Sequence, residues 1–396
     1  MLTKPGPFSR STQEAQWRNW LIGHALPLWD EAGFDPHRQL YHERLTWGAA
    51  PIAMEQLRLM VQARQVATYC RAALDGLYDR SAQAIRCLDE VERRYRRADG
   101  APGWVFAIAH NGQPASPVRD LYAHAFILFA YAWAYKVTGE NRYLVIARET
   151  TTEISQIFAA RHGGFMDTVP MSGVIRRQNP HMHLLEAYLA LFETTGDAFY
   201  LDQAKPLVML GLDRFIDIRS GMLLEFFRPD WRPCRSWGLN RAEPGHIFEW
   251  SWLLGEYQRL SGCDGMEKAR IITVAERLFA VGITAGCDPV TGFAYDAMTE
   301  KKEIIEHATR IWPQTELMRL LRLRRDRGED RATKMLARLS SGFFERYAPQ
   351  HLAGGWIDRL DPQLQPLVDY MPASSLYHIY GAGRELVLPQ DQLVQN

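Results

Sequence analysis

The sequence predicts an all-α protein, an (α/α)6 barrel of six helical hairpins with short β-hairpins at its mouth. Two observations carry this. A glycine-plus-aromatic signal recurs at Gly33-Phe34, Gly103-Trp104, Gly164-Phe165, Gly221-Met222, Gly292-Phe293 and Gly355-Trp356, with Met222 a degenerate copy. The copies stand roughly 60–70 residues apart, enough for two helices and their connections. Between them lie turn signals that reverse one helix into the next: Thr138-Gly139-Glu140, Thr195-Gly196-Asp197 and Ser261-Gly262-Cys263. Six such hairpins close into a ring, which gathers the aromatic loops at one end.

The elements follow in order. Glu55 to Leu77 has apolar residues at three- and four-residue spacing and good helix formers. Arg93 to Gly103 reads as a helix end and loop. Leu121 to Val137 and His183 to Thr194 are nearly all apolar and predict inner helices. Tyr143 to Ala160 is amphipathic and predicts an outer one. Gly221 to Phe227 and Phe293 to Ala297 predict small hairpins at the mouth. The charge run Leu320 to Arg331 predicts a solvated outer face and turn. No linker divides the chain, so residues 1–396 are expected to form one catalytic domain.

Composition narrows the function. Lys+Arg and Asp+Glu are both 46, a formal charge of zero. That removes the electrostatic basis for binding nucleic acid or anionic membranes. The 47% hydrophobic content supports a large core. Five cysteines without a CxxC pair suggest neither a zinc knuckle nor a disulfide framework, so a reduced compartment is expected. Met1 to Gln13 is polar and lacks an apolar signal core, and no apolar run is long enough to span a bilayer. A cytoplasmic location is expected. The absence of βαβ alternation and of a glycine-rich phosphate loop argues against a nucleotide cofactor.

Four polar segments at helix starts carry candidate chemistry. In Asn179-Pro180-His181-Met182-His183, Pro180 fits a first helical turn with Asn179 as its cap. Asn179 and His183, four apart, can share a face, and His181 points elsewhere. In Glu243-Pro244-Gly245-His246-Ile247-Phe248-Glu249, a carboxylate three residues beyond His246 can orient the imidazole. This His-x-x-Glu lacks the second histidine of HExxH, and no metal is expected. In Trp312-Pro313-Gln314-Thr315-Glu316, Trp312 offers a platform for a sugar ring, with hydrogen bonds from Gln314 and Glu316. The fourth segment, Ala373-Ser374-Ser375-Leu376-Tyr377-His378, returns near the first hairpin if the ring closes. Each histidine taken singly has a plain capping or packing explanation. Repetition of one pattern argues for a site.

The blocks NPHMHLLEA, EPGHIFEWSWLL, WPQTE and ASSLYHIYG resemble the signatures of the N-acylglucosamine 2-epimerase superfamily, from about Trp17 to Gly381. That superfamily also holds cellobiose 2-epimerases and aldose–ketose isomerases acting on mannose. The resemblance implies the (α/α)6 barrel. It implies a catalytic set of His246, His378 and Glu249, with Glu249 holding His246 in its working tautomer. It implies a sugar held by Arg64 (in Gln62-Ala63-Arg64-Gln65), Tyr122 (in Asp120-Leu121-Tyr122-Ala123-His124), Asn179, His183, Trp312, Gln314 and Glu316. The single tryptophan before Pro313 looks more like the mannose isomerase branch. The implied reaction is mannose–fructose interconversion, with lyxose and xylulose on the same chemistry, through a cis-enediolate and without a cofactor. A 2-epimerase on mannose or glucose, cellobiose or N-acylglucosamine remains the alternative. The expected partner is a monosaccharide, in a protein that is a monomer or a homo-oligomer.

Overall fold

The computed structural model describes residues 10–217, 219–236 and 238–395. The opening residues 1–9 of the polar Met1 to Gln13 stretch lie outside them. The chain begins with α1 (Arg10–Trp20), which runs through a π-helical turn into α2 (Leu26–Glu31). Ten helices then alternate inward and outward: α3 (Leu59–Leu74), α4 (Ser81–Tyr95), α5 (Leu121–Thr138), α6 (Asn141–Ile157), α7 (Asn179–Thr195), α8 (Ala198–Leu210), α9 (Pro244–Ser261), α10 (Gly265–Gly286), α11 (Ile311–Asp326) and α12 (Asp330–Gly342). The last inner helix is α13 (Leu376–Val387), followed by the short α14 (Gln390–Gln395).

The inner ring is α3, α5, α7, α9, α11 and α13, each packed on the next, and α13 packs back on α3. The outer partner of α13 is α1, from the other end of the chain. Trp17 ties α1 to the neighbouring end of α12: its indole N–H donates to Ser340 Oγ at 2.8 Å, and its ring lies 4.5 Å from that of Phe343. The final polar block does return to the first hairpin. Gln65 Nε2 donates to Ala373 O at 2.9 Å and Arg64 Nη1 to Ser374 O at 3.0 Å.

The sequence dictates which helices face inward. In α5, every residue from Ala123 to Ala134 is buried, because the helix is apolar all round. In α4 the buried residues Ala84, Cys87, Leu88, Val91 and Tyr95 form one stripe. The Thr-Gly-acid turns behave as read. Gly139 ends α5 at φ 71°, a left-handed conformation that a side chain would strain, and its N–H donates to Tyr135 O at 2.7 Å.

The mouth is a corona of six antiparallel strand pairs. The strand entering each inner helix pairs with a strand from the next hairpin. Gln56–Arg58 pairs with Ala107–Ala109, Arg119–Asp120 with Thr168–Val169, and Arg176–Arg177 with Phe226–Phe227. Arg241–Ala242 pairs with Ala297–Thr299, and Thr309–Arg310 with Arg359–Leu360. The sixth pair joins the two ends of the chain, Tyr370–Pro372 with Arg44–Thr46. The segment Gly221 to Phe227 is therefore split. Met222–Leu223 forms a hairpin with Ile216–Asp217, and Phe226–Phe227 joins the corona.

The glycine-aromatic loops are tied down by side chains from the first turn of the inner helices. His124 Nε2 accepts from Trp104 N at 3.1 Å while its Nδ1 donates to Asp120 O at 2.7 Å. His181 repeats this with Phe165 N at 3.0 Å and Arg177 O at 3.1 Å. Gln62 accepts from Tyr41 N, and Gln314 accepts from Ala294 N at 2.7 Å. Gly164 packs so closely here that a Cβ would lie 3.1 Å from His181 Nε2 and 2.8 Å from the Trp231 ring, at φ 59°.

Two expectations are corrected. The charge run from Leu320 is not an outer face: Leu320–Asp326 is the end of inner helix α11. Arg322 is buried there because Nε donates to Glu385 O at 3.0 Å, which satisfies the end of α13. Gln314 is not a sugar ligand. It is the α11 counterpart of His124 and His181, fully buried, with Nε2 donating to Ala294 O and Arg310 O.

His181 is buried and neutral, pushed down to about 3 by burial and by Arg176. Below the ordinary histidine value the unfolded chain takes up a proton that the folded one refuses. His181 therefore costs no stability above pH 6.5 and costs progressively more as pH falls toward 3. His181→Ala, which removes two hydrogen bonds to partly buried backbone groups and a fully buried ring, is expected to cost about 1–2 kcal/mol at neutral pH by urea unfolding. It should also soften the acid-side loss. An unchanged midpoint would remove this role from His181.

Candidate active site

A cavity of about 460 Å³ opens at the mouth, a size that suits a small ligand. Each inner helix sends a side chain into it: Arg64 from α3, Tyr122 from α5, Asn179 and His183 from α7, His246 and Glu249 from α9, Trp312 from α11 and His378 from α13. A larger cavity of about 740 Å³ lies outside the ring, bounded by residues of the 159–177 loop and Pro229. It holds none of these histidines and is set aside.

Three imidazoles face the central cavity, each held by a buried glutamate at Nδ1. His183 meets Glu186 Oε2 at 3.1 Å, His246 meets Glu225 Oε1 at 2.9 Å, and His378 meets Glu316 Oε1 at 2.8 Å. With Nδ1–H donating to the carboxylate, each ring turns Nε2 to the other side, where a substrate proton can be exchanged. The glutamates are themselves fixed. Glu316 accepts from Arg319 Nη1 at 2.8 Å, and Arg319 Nε also donates to Glu385 at 2.9 Å. Glu225 accepts from Gln178 Nε2 at 3.0 Å. Glu186 accepts from the Tyr377 hydroxyl.

The pairs are not electrically alike. Burial depresses His378 below its ordinary value, and the charge of Glu316 offsets only part of this. His183 is held down to about 4, again by burial first. His246 goes the other way: burial alone would lower it, but Glu225 and then Glu243, 3.8 Å from Nδ1, raise it above 6.5. Asn179 Nδ2 lies 3.2 Å from His246 Nε2, while Asn179 Oδ1 has no hydrogen-bond partner. Turned over, the amide would accept from the imidazolium instead, so Asn179 can serve both protonation states. Asn179 is the first helical residue rather than the cap, which is Gln178, and this frees its side chain for the cavity.

Glu249 stands apart. Both carboxylate oxygens are buried and lack a hydrogen-bond partner, and the nearest imidazole contact is His183 Nδ1 at 3.7 Å. Burial, then Glu316 and Glu186, push it well above the usual carboxylate range. The shift favours the neutral form of this carboxyl. The expectation that Glu249 holds His246 is thus corrected. Glu225 does so, twenty-one residues earlier in the chain and outside any histidine motif. Glu316 is also placed differently: it orients His378 and has no surface exposed to the cavity.

Trp312 stands between the two outer imidazoles, its ring 5.0 Å from His246 and 5.4 Å from His378. Arg64 donates to the Tyr122 hydroxyl and to Ser374 O, and its Nε has no partner. Two triads, His183–Glu186–Glu249 and Glu249–Glu316–His378, hold ligand-type atoms within 4.8 Å of one another. In each, the histidine Nδ1 is already bonded to a glutamate, so a cation would have to displace an imidazole–carboxylate hydrogen bond.

A barrel whose inner helices converge on paired imidazoles and carboxylates is built for proton transfer on a small ligand. The chain belongs to the N-acylglucosamine 2-epimerase (GlcNAc 2-epimerase) family, whose model matches residues 41–382. A protein from Rhizobium meliloti (strain 1021) named mannose-6-phosphate isomerase is 30% identical over 94% of this chain and 96% of its own length. A D-mannose isomerase from Thermobifida fusca is 25% identical, with 96% of each chain covered. A cellobiose 2-epimerase from Bacteroides fragilis is 24% identical over 70% of this chain and 73% of its own. A solved D-mannose isomerase structure superposes with a TM-score of 0.84 at 19% identity, covering 97% of this chain and 99% of that one. Family and relatives define a sugar isomerase or epimerase.

Glu225→Gln removes the charge that keeps His246 basic. The His246 titration, followed by NMR of labelled histidine, is expected to fall below that of the native protein. An unmoved titration would mean that Glu243 alone sets it.

Proposed function

We propose that the chain is an aldose–ketose isomerase that interconverts D-mannose and D-fructose, and on the same chemistry D-lyxose and D-xylulose, without a metal. The observation that carries this is the pair His378 and His246 on either side of Trp312, each held by a glutamate, with His378 shifted toward the neutral form by burial and His246 shifted toward the protonated form, against burial, by Glu225 and Glu243. A base and an acid of matched range facing one cavity are what enolisation next to a carbonyl requires. Mannose also recurs in the names of several relatives.

In this reading His246 gives a proton to the ring oxygen and takes one from the O1 hydroxyl, which opens the sugar to the aldehyde. His378 Nε2 takes the proton from C2, and the electron pair moves through C1–C2 onto O1, giving the cis-enediolate. Arg64 and the neutral carboxyl of Glu249 donate to the oxygens that become charged. The proton on O2 passes to O1 by way of His246. His378 then returns its proton to C1, and the ketose forms. Tyr122, Asn179, His183 and Trp312 hold the hydroxyls and the ring face. The soluble, cytoplasmic setting and a substrate without nucleic acid or membrane belong to the same proposal.

One observation favours a second reading. His183 is a third imidazole on the cavity, also paired with a glutamate. Protonation of C2 from its side would give the epimer in place of the ketose.

Incubation with D-mannose in heavy water, followed by NMR, tests the choice. Fructose labelled at C1 is expected, and turnover is expected to survive dialysis against EDTA. Glucose labelled at C2 as the main product would establish the epimerase. His378→Ala is expected to lose about 10²-fold or more in kcat.

Glu249→Gln keeps a neutral donor in place of the carboxyl and is expected to retain much of the activity. Glu249→Ala is expected to lose roughly 10²-fold, the scale of one lost oxyanion donor. Equal loss in both variants would mean that Glu249 acts as an ion.

A further inference from the structure

Around the mouth, five of the strands that lead into the inner helices carry an arginine at or next to their last residue. Arg58, Arg119, Arg177, Arg241 and Arg310 occupy these positions before α3, α5, α7, α9 and α11. Each is matched by a carboxylate: Arg58 by Glu43, Arg119 by Asp99, Arg177 by Asp167, Arg241 by Glu243 and Glu306, and Arg310 by Glu243 and Asp296. The sixth sector differs. The strand before α13 ends in Pro372, and the arginine comes from across the pair, where Arg44 is in register with Pro372.

Arg44 lines the central cavity, and its side chain has neither an ion pair nor a hydrogen bond among the described residues. Its guanidinium lies 4.1 Å from the centre of the Tyr370 ring, which holds it flat and leaves its N–H edge open. The adjacent Glu43 cannot serve it. One Glu43 oxygen takes the Arg58 backbone N–H at 2.6 Å, and the other takes Arg58 Nε and Nη2 at 2.9 and 2.6 Å. In a rim of matched ion pairs, one fork-shaped cation has been left for a ligand.

We propose that Arg44 binds a phosphate ester carried by the sugar on the carbon remote from the reacting pair. A planar guanidinium with an open edge matches phosphate oxygens bidentately, whereas a neutral hydroxyl would leave its charge unanswered. Arg44 stands on the corona strand, outside the helix that carries His378 into the barrel. In this proposal a hexose with C1 and C2 between His378 and His246 turns its far end toward Arg44, which lines the same cavity. Arg58, whose Nη1 is not used by Glu43, lines the same cavity. The substrate class becomes a hexose 6-phosphate, and the inference rests on the isomerase reading above.

The test compares D-mannose 6-phosphate with D-mannose in the native protein, Arg44→Gln and Arg44→Lys. The native kcat/KM is expected to favour the phosphorylated sugar by about tenfold or more, through KM. Arg44→Gln should collapse that ratio by raising KM for the phosphorylated sugar, with its kcat within about twofold. Arg44→Lys should restore part of the preference, and high salt should narrow it. A native preference for free mannose, or a ratio unmoved by Arg44→Gln, would overturn the proposal. If neither sugar is turned over, the isomerase reading fails by itself. Calorimetry with the same two sugars then decides for Arg44: tighter binding of the phosphorylated sugar that Arg44→Gln abolishes sustains the anion site, and equal binding of both refutes it.

Discussion

The site depends on closure of the ring at the seam between Arg44–Thr46 and Tyr370–Pro372. This strand pair brings together residues more than three hundred positions apart. It starts α13 at the same level as the other inner helices, so that His378 enters beside Arg64 and opposite His246. The backbone carbonyls of Ala373 and Ser374 accept from Gln65 and Arg64, which ties the seam to α3 directly. Without it, two of the three imidazole pairs would still form, but His378 would not join them.

Within the closed ring, burial and charge oppose each other, and the balance differs from one histidine to the next. Burial depresses every imidazole on the cavity wall. The glutamates fail to overcome this at His183 and His378, where Arg64 works against them. Two glutamates overcome it at His246, with Glu243 adding to Glu225. Burial, then Glu316 and Glu186 nearby, raises Glu249 well above the usual carboxylate range. One balance of burial and charge therefore shifts His378, His246 and Glu249 differently within a single cavity.

Much of this was legible in the sequence, and the exceptions share a cause. The hairpin turns at Gly139 and Gly196 and the inner helices announce themselves by local pattern. So do His183, His246 and His378, which sit in polar segments at helix starts. Interactions across the ring do not. Glu225 lies in an apolar mouth segment with no mark of its partner, and so Glu249, three residues from His246, took its place in the reading. Gln314 looked like a ligand because it adjoins Trp312. Its true relation is to His124 and His181, which tie down the same loop in other hairpins. Glu186 was visible, three residues beyond His183, yet that spacing was read only at His246. The charge run at Leu320 misled because burial of Arg322 depends on the carbonyls of α13, supplied by another part of the chain.

The pairing of α1 with α13 has a consequence for how the molecule is made. The outer partner of the last inner helix leaves the ribosome first and the helix it must cover leaves last. Through most of synthesis α1 has no native place to pack, and its buried face, with Trp17 and Trp20, stays uncovered. The nascent ring remains open, with His246 exposed to water and His378 not yet translated. The three imidazoles can therefore share one cavity only after a late, long-range step.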